Sequence, residues 1–210
     1  EGPLRIGRSC VVRAGVPVED SILQRDTSGT YLFVEDVMAQ SATPPANFPA
    51  DKAVNGQAMR YEMDQTIVAS DRARILAGFT NSISTLSIVV DPADLFDPSK
   101  GIYVNAREEG KEWERQTMAE QIYPVDTNDE FSVSCGIRIR GAFSRMGYAK
   151  HAFRLFFRSE YGMSSLNHPL FGDEGPKSFG KIDLRCDQNS SWANGKADTT
   201  LIQEVWVRDT

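Results

Sequence analysis

Residues 136–158 of the chain alternate in a way that only extended structure satisfies. In "GIRIRG", Ile137 and Ile139 fall on one side of a strand, and Arg138 and Arg140 fall on the other. In "KHAFRLFFR", Phe153, Leu155 and Phe157 share one side, while Lys150, Ala152, Arg154, Phe156 and Arg158 share the opposite side. The polar stretch "SRMGYA" between them predicts a turn that pairs the two segments. Their apolar faces then form a core layer, and their cations form one continuous surface.

The same reading along the chain gives three regions. Residues 1–34 hold short extended pieces, alternating around Ile6, Val11 and Val12 and again in "GTYLFVE", with a turn-like segment between them. They read as the C-terminal strands of a truncated β-sandwich. Residues 35–82 carry Pro44, Pro45, Pro49 and Asn55-Gly56 and predict an irregular connector, with a short helix near 70–77. From 83 onward the pattern becomes regular. "SISTLSIVV" predicts a strand with Leu86, Ile88 and Val90 on one face. In "DPADLFD", Asp91 can cap and Pro92 suits the first helical position, which predicts a one-turn helix. Residues 116–123 alternate up to Pro124, "SFGKIDLRC" reads as a further strand, and 198–209 has helical spacing. The fold class is α+β: a mainly antiparallel sheet with one or two helices.

Composition fits a folded globular chain: 210 residues, 40% hydrophobic, 25% charged and a net charge of −6. The acidic balance argues against coating nucleic acid, which requires neutralising many phosphates. No apolar run approaches the roughly 20 residues of a membrane helix. The N-terminus "EGPLRIGRSC" lacks a signal-peptide pattern, and the chain reads as part of a longer one. Cys10, Cys135 and Cys186 lie far apart without a CxxC, so neither a zinc site nor a redox pair is indicated.

The cationic surface is the main chemical signal. Buried, it needs carboxylates or a bound anion. Glu112, Glu114, Glu120, Asp173 and Glu174 are the candidate carboxylates. Gly141 permits close backbone approach, and Ser144 and Gly147 lie in the turn. Glu112 and Glu114 flank Trp113 and would share a strand face, a spacing also compatible with paired-carboxylate chemistry. There is no phosphate loop, no nucleophile elbow and no HExxH. His151 and His168 have no partners at metal spacing; His151 is placed to pair with a nearby acid.

The phrases "LFDPSKGIYVNAREEGKEWER", "GIRIRGAFSR", "KHAFRLFFRSEYG", "LNHPLFGDE" and "FGKIDLR", in this order, resemble the CotH kinase family, named for a spore-coat protein. The resemblance covers about residues 80–210. Upstream, "GPLRIGRSCVVRAG…GTYLFVEDVMAQ" is similar to the tail of a chitobiase/β-hexosaminidase C-terminal-type domain. The resemblance implies a partial atypical kinase-like N-lobe over 83–210, from a secreted or cell-surface bacterial protein. It implies ATP and Mg²⁺ as cofactors and Ser or Thr of a protein partner as phosphate acceptor. Arg140, Gly141 and Ser144 match the family's "RG…S" phrase. Lys150 matches its "K-x-S-F-R" phrase, with Ala152 in place of Ser, and is the expected phosphate contact, with Arg154 secondary. The family's metal-binding and catalytic acids fall beyond 198–209, so catalytic residues are unassigned. The other reading of the residues is a non-catalytic surface module whose cations are solvated, internally paired or bound to an acidic cell-surface polysaccharide.

Overall fold

A computed structural model describes residues 2–15, 26–50, 54–124 and 130–186. The expected helix at 198–209 lies outside the described residues. Within them the fold is α+β and the sheets are antiparallel. The central sheet has five strands in the order β3-β4-β5-β6-β9: β3 (Thr85–Val89), β4 (Arg115–Ile122), β5 (Phe131–Arg140), β6 (Ala152–Phe156) and β9 (Lys181–Leu184). Two small hairpins accompany it, β1 (Cys10–Gly15) with β2 (Asp26–Tyr31), and β7 (Leu166–Asn167) with β8 (Ser178–Phe179).

The β5–β6 register places Ile137 opposite Leu155 and Ile139 opposite Phe153. With Ala119 and Cys135 these residues build one buried face. Leu95, Ile102 and Ala106 cover it from the segment that follows β3, joined by Phe157 and Leu166. That segment opens with α3 (Pro92–Phe96), where Asp91 accepts a hydrogen bond from the Ala93 amide at 2.8 Å and Pro92 takes the first turn. Burying these apolar side chains on one face is the main stabilising term for a sheet of this kind.

The opposite face is polar, and the β1–β2 hairpin lies over part of it. The Glu120 carboxylate accepts bonds from Ser28 Oγ at 2.7 Å and the Thr30 amide at 2.9 Å, and Thr30 also bonds Ser87 at 2.7 Å.

Several elements differ from the sequence reading. The helix of the connector is α2 (Gln65–Ala77), longer and earlier than residues 70–77. Asp64 starts it by accepting from the Thr66 and Ile67 amides, and a break at Asp71 divides it. A short α1 (Val34–Met38) precedes it. The strand expected over 178–186 divides at Gly180, β8 pairing with β7 and β9 with β6. The loop after β5 contains a one-turn helix, α4 (Ser144–Gly147). Residues 111–113 form a 3₁₀ turn rather than a strand, so Glu112 and Glu114 do not share a face: Glu112 is exposed and Glu114 is buried.

Candidate functional site

The cations of β5 and β6 do fall on one surface. Arg138 stands opposite Arg154, and Arg140 opposite Ala152. On the next strand Asp183 is the partner of Arg154, and Lys181 is the partner of Phe156. Like charges directly opposite one another on a sheet repel, and this surface answers with two carboxylates.

The first is Asp183. Arg154 grips it with two hydrogen bonds, Nε to Oδ1 and Nη2 to Oδ2, and Arg140 Nε donates to Oδ2 at 3.0 Å. The Arg154 guanidinium holds the Asp183 carboxyl below the usual carboxylate range, with Arg140 adding to the effect. The second is Glu114, whose side chain is only 1% exposed. Arg158 donates to both its oxygens at 2.9 and 3.2 Å, Tyr161 Oη donates at 3.0 Å, and Arg138 Nε lies 3.2 Å away. Burial beside Glu114 drives the Tyr161 hydroxyl pKa well above its ordinary value. Glu114 rests directly on Gly136, where a Cβ would come within 2.6 Å of its Oε1, so the backbone there has to be bare. Phe156, the register partner of Gly136, carries two guanidiniums on its ring, Arg138 at 3.9 Å and Arg158 at 4.9 Å.

Arg138, Arg140, Arg154 and Lys181 line a cavity of about 720 Å³, within the range of small-molecule sites. Phe156 and Trp113 add aromatic wall, and Gly110, Gly141 and Arg145 close one end. Gly141 has a φ of 123°, which an L side chain rarely adopts, and a Cβ there would collide with Ser144 Oγ. Arg145 is a fastener at this end. Its guanidinium donates to the carbonyls of Gly141 at 2.6 Å, Ile139 at 2.9 Å, Glu108 at 3.0 Å and Ala106 at 3.2 Å. One side chain thereby ties the end of β5 to the loop across the cavity. Glu108 and Glu109 stand at the same rim, with Glu109 3.6 Å from Arg145.

Of the residues expected at the site, Arg140, Gly141 and Arg154 line this cavity. Ser144 and Lys150 do not; Ser144 packs behind Gly141, and Lys150 is exposed, its carbonyl accepting from Cys186 Sγ at 3.4 Å. Arg138, Arg145, Lys181 and Asp183 complete the arrangement, and the sequence reading did not nominate them as site residues. For Lys181 and Asp183 the signal that places them on one face is parity: in "GKIDLR" they alternate with Ile182 and Leu184.

Among the described residues His151 pairs with no acid. It is buried under Tyr103, ring centroids 4.6 Å apart, and neither ring nitrogen makes a hydrogen bond. Burial, aided by the charge of Arg145, lowers its pKa to about 4. Among the described residues no three His, Cys, Asp or Glu side chains converge to hold a metal ion, and no helix is long and apolar enough to cross a membrane. Compared with known proteins, the chain matches no family model, no curated protein and no solved structure.

Proposed function

We propose that the cavity on the polar face of the sheet binds the phosphates of a nucleotide, and that the chain supplies the phosphate-facing part of a CotH-type protein kinase. In this reading ATP with Mg²⁺ is the ligand, and a Ser or Thr of a protein at the cell surface is the acceptor. The supporting observation is the charge balance of the face. Among the described residues, Arg138, Arg140, Arg154, Arg158 and Lys181 stand there against Asp183, Glu114 and Glu160, the last 3.9 Å from Arg158, which leaves a positive excess on this part of the face in an acidic chain, with Glu108 and Glu109 at the far rim of the cavity. Arginine forks suit phosphate oxygens, and the fields of partly buried cations are screened less than those in open water. The described residues contribute binding and orientation; no transfer step is assigned to them.

A second reading is favoured by Trp113 and Phe156 in the cavity wall. Aromatic faces beside cations also fit an acidic polysaccharide on a non-catalytic surface module. One thermal-unfolding series separates the two. A ligand at one hundred times its Kd stabilises by about 2.7 kcal/mol. The nucleotide reading expects ATP to raise the melting temperature more than AMP does. No shift with any nucleotide at millimolar concentration, together with a shift from oligogalacturonate, would replace it with the polysaccharide reading.

A further inference from the structure

The cavity has two unlike ends. At the Gly141 end stand Glu108 and Glu109, and the guanidinium of Arg145 is already spent on four backbone carbonyls. Between the ends, Arg140 and Arg154 share Asp183, whose carboxylate is 28% exposed and repels an incoming anion. At the Phe156 end the charges are available. Arg138 Nε lies 3.2 Å from Glu114 Oε2 without making a hydrogen bond, and its two terminal nitrogens make no hydrogen bond among the described residues. Glu114 itself is sealed beneath Arg158 and Tyr161. Lys181 is exposed and makes no ion pair among the described residues. It flanks Phe156 from β9, and Arg138 lies over the ring of Phe156 from β5.

From this we infer that the anion site is the Phe156 end, with Arg138 and Lys181 as its two contacts and Phe156 as its floor, and that the ligand class is an oligophosphate. The two strands that carry these cations stand two sheet spacings apart, about 10 Å. Long cationic side chains converging over that gap suit an anion with at least two charged groups better than a single orthophosphate. The Gly141 end and Lys150 then play no part in binding. The inference rests on the reading of the cavity as a phosphate site and narrows it to named residues and a ligand that needs no base or sugar.

The test is calorimetric titration of the chain with ATP, inorganic tripolyphosphate, orthophosphate and trigalacturonate, repeated for Lys181→Gln, Arg138→Gln and Lys150→Gln. Lys181 is exposed, so Lys181→Gln keeps the fold even if Arg138→Gln strains the Glu114 cluster. Loss of one charge-assisted contact weakens binding about tenfold or more. The expected result is tripolyphosphate binding comparable to ATP, weak or no binding of orthophosphate, a tenfold or greater loss in Lys181→Gln and Arg138→Gln, and less than a twofold change in Lys150→Gln. If the wild-type chain binds ATP but Lys181→Gln binds tripolyphosphate unchanged, or Lys150→Gln shows the large loss, the inference is overturned while the nucleotide reading stands. Binding of ATP without tripolyphosphate has the same consequence. Trigalacturonate binding alone, or no binding of any anion, overturns both.

Discussion

His151 gives the sharpest quantitative test of the structure. His151 is 4% exposed, its ring has no hydrogen-bond partner among the described residues, and it sits beside the positively charged Arg145. Its pKa is lowered from 6.5 to about 4. The unfolded chain binds a proton on this ring below pH 6.5, and the folded chain does not until about pH 4. Folding stability from this residue is therefore complete above pH 6.5 and falls as the pH drops. The limiting slope is about 1.4 kcal/mol per pH unit. At pH 5 the accumulated loss is about 2 kcal/mol, and at pH 4 and below it approaches about 3 kcal/mol. The carboxylates with shifted pKa values behave differently. Glu62, Asp71, Asp97 and Asp183 are all held below their ordinary values, so their contributions are lost only as the pH falls through the carboxylate range. The clean measurement is a difference. Urea unfolding of the wild type and of His151→Phe at pH 7, 6 and 5 should show the variant losing about 2 kcal/mol less across that interval. Phe keeps the ring packing on Tyr103 and leaves the His151 backbone amide free to donate to Tyr103 Oη as now. Parallel pH profiles, within about 0.5 kcal/mol, would mean the imidazole is not sealed from water and would refute the reasoning.

Four further outcomes follow from the packing. Cys135 is fully buried and its thiol is pushed up to about 12, so a thiol reagent should label Cys10 and Cys186 in the folded chain and Cys135 only after denaturant is added. Glu114→Gln removes the charge that Arg158, Arg138 and Tyr161 share; it should cost about 3 kcal/mol in urea unfolding. Gly136→Ala should reproduce much of that loss by displacing the same carboxylate. Arg145→Lys keeps the charge but not the planar fork. It should destabilise by about 2 kcal/mol or more and increase proteolytic cleavage in the 106–109 loop that Arg145 holds.

The sequence revealed most where structure is local. Alternation placed Ile137 and Ile139 in the core and Arg138 and Arg140 on the other face, and β5 and β6 pair in that sense. The Asp91-Pro92 signal places α3 correctly because a cap is a contact two residues away. The helix at 65–77 was read short because the proline-rich stretch before it masked Asp64, whose side chain starts it. Glu114 was named among the possible counter-ions, yet no local rule selects it over Glu112; the 3₁₀ turn at 111–113 does so by aiming one carboxylate inward and leaving the other exposed. Asp183 and Arg145 went unread for a different reason. Asp183 meets Arg154 through the β6–β9 register, 29 residues away, and Arg145 meets its carbonyls through a loop 37 to 39 residues away. Such pairings belong to the tertiary fold, and a single sequence does not display them.

The register also explains why an acidic chain keeps a row of cations on one surface. Arg138, Arg154 and Asp183 form a single line across three strands, so the repulsion between the two arginines is offset within the line itself. Arg138 is further held by Phe156 and by the edge of the buried Glu114. A line built only for stability would end neutral, because an unneutralised cation held by ring contact and an off-axis ion pair gains little from being there. This face ends positive, with the free nitrogens of Arg138 and the amine of Lys181 on either side of an aromatic ring. The carboxylates fix the arginines' orientation to different degrees: Arg154 and Arg158 each spend Nε and Nη2 on one carboxylate, Arg140 gives Nε to Asp183, and Arg138 Nε lies 3.2 Å from Glu114. Under the proposal above, the donors of Arg138 and Lys181 on either side of Phe156 are those that an anion would engage.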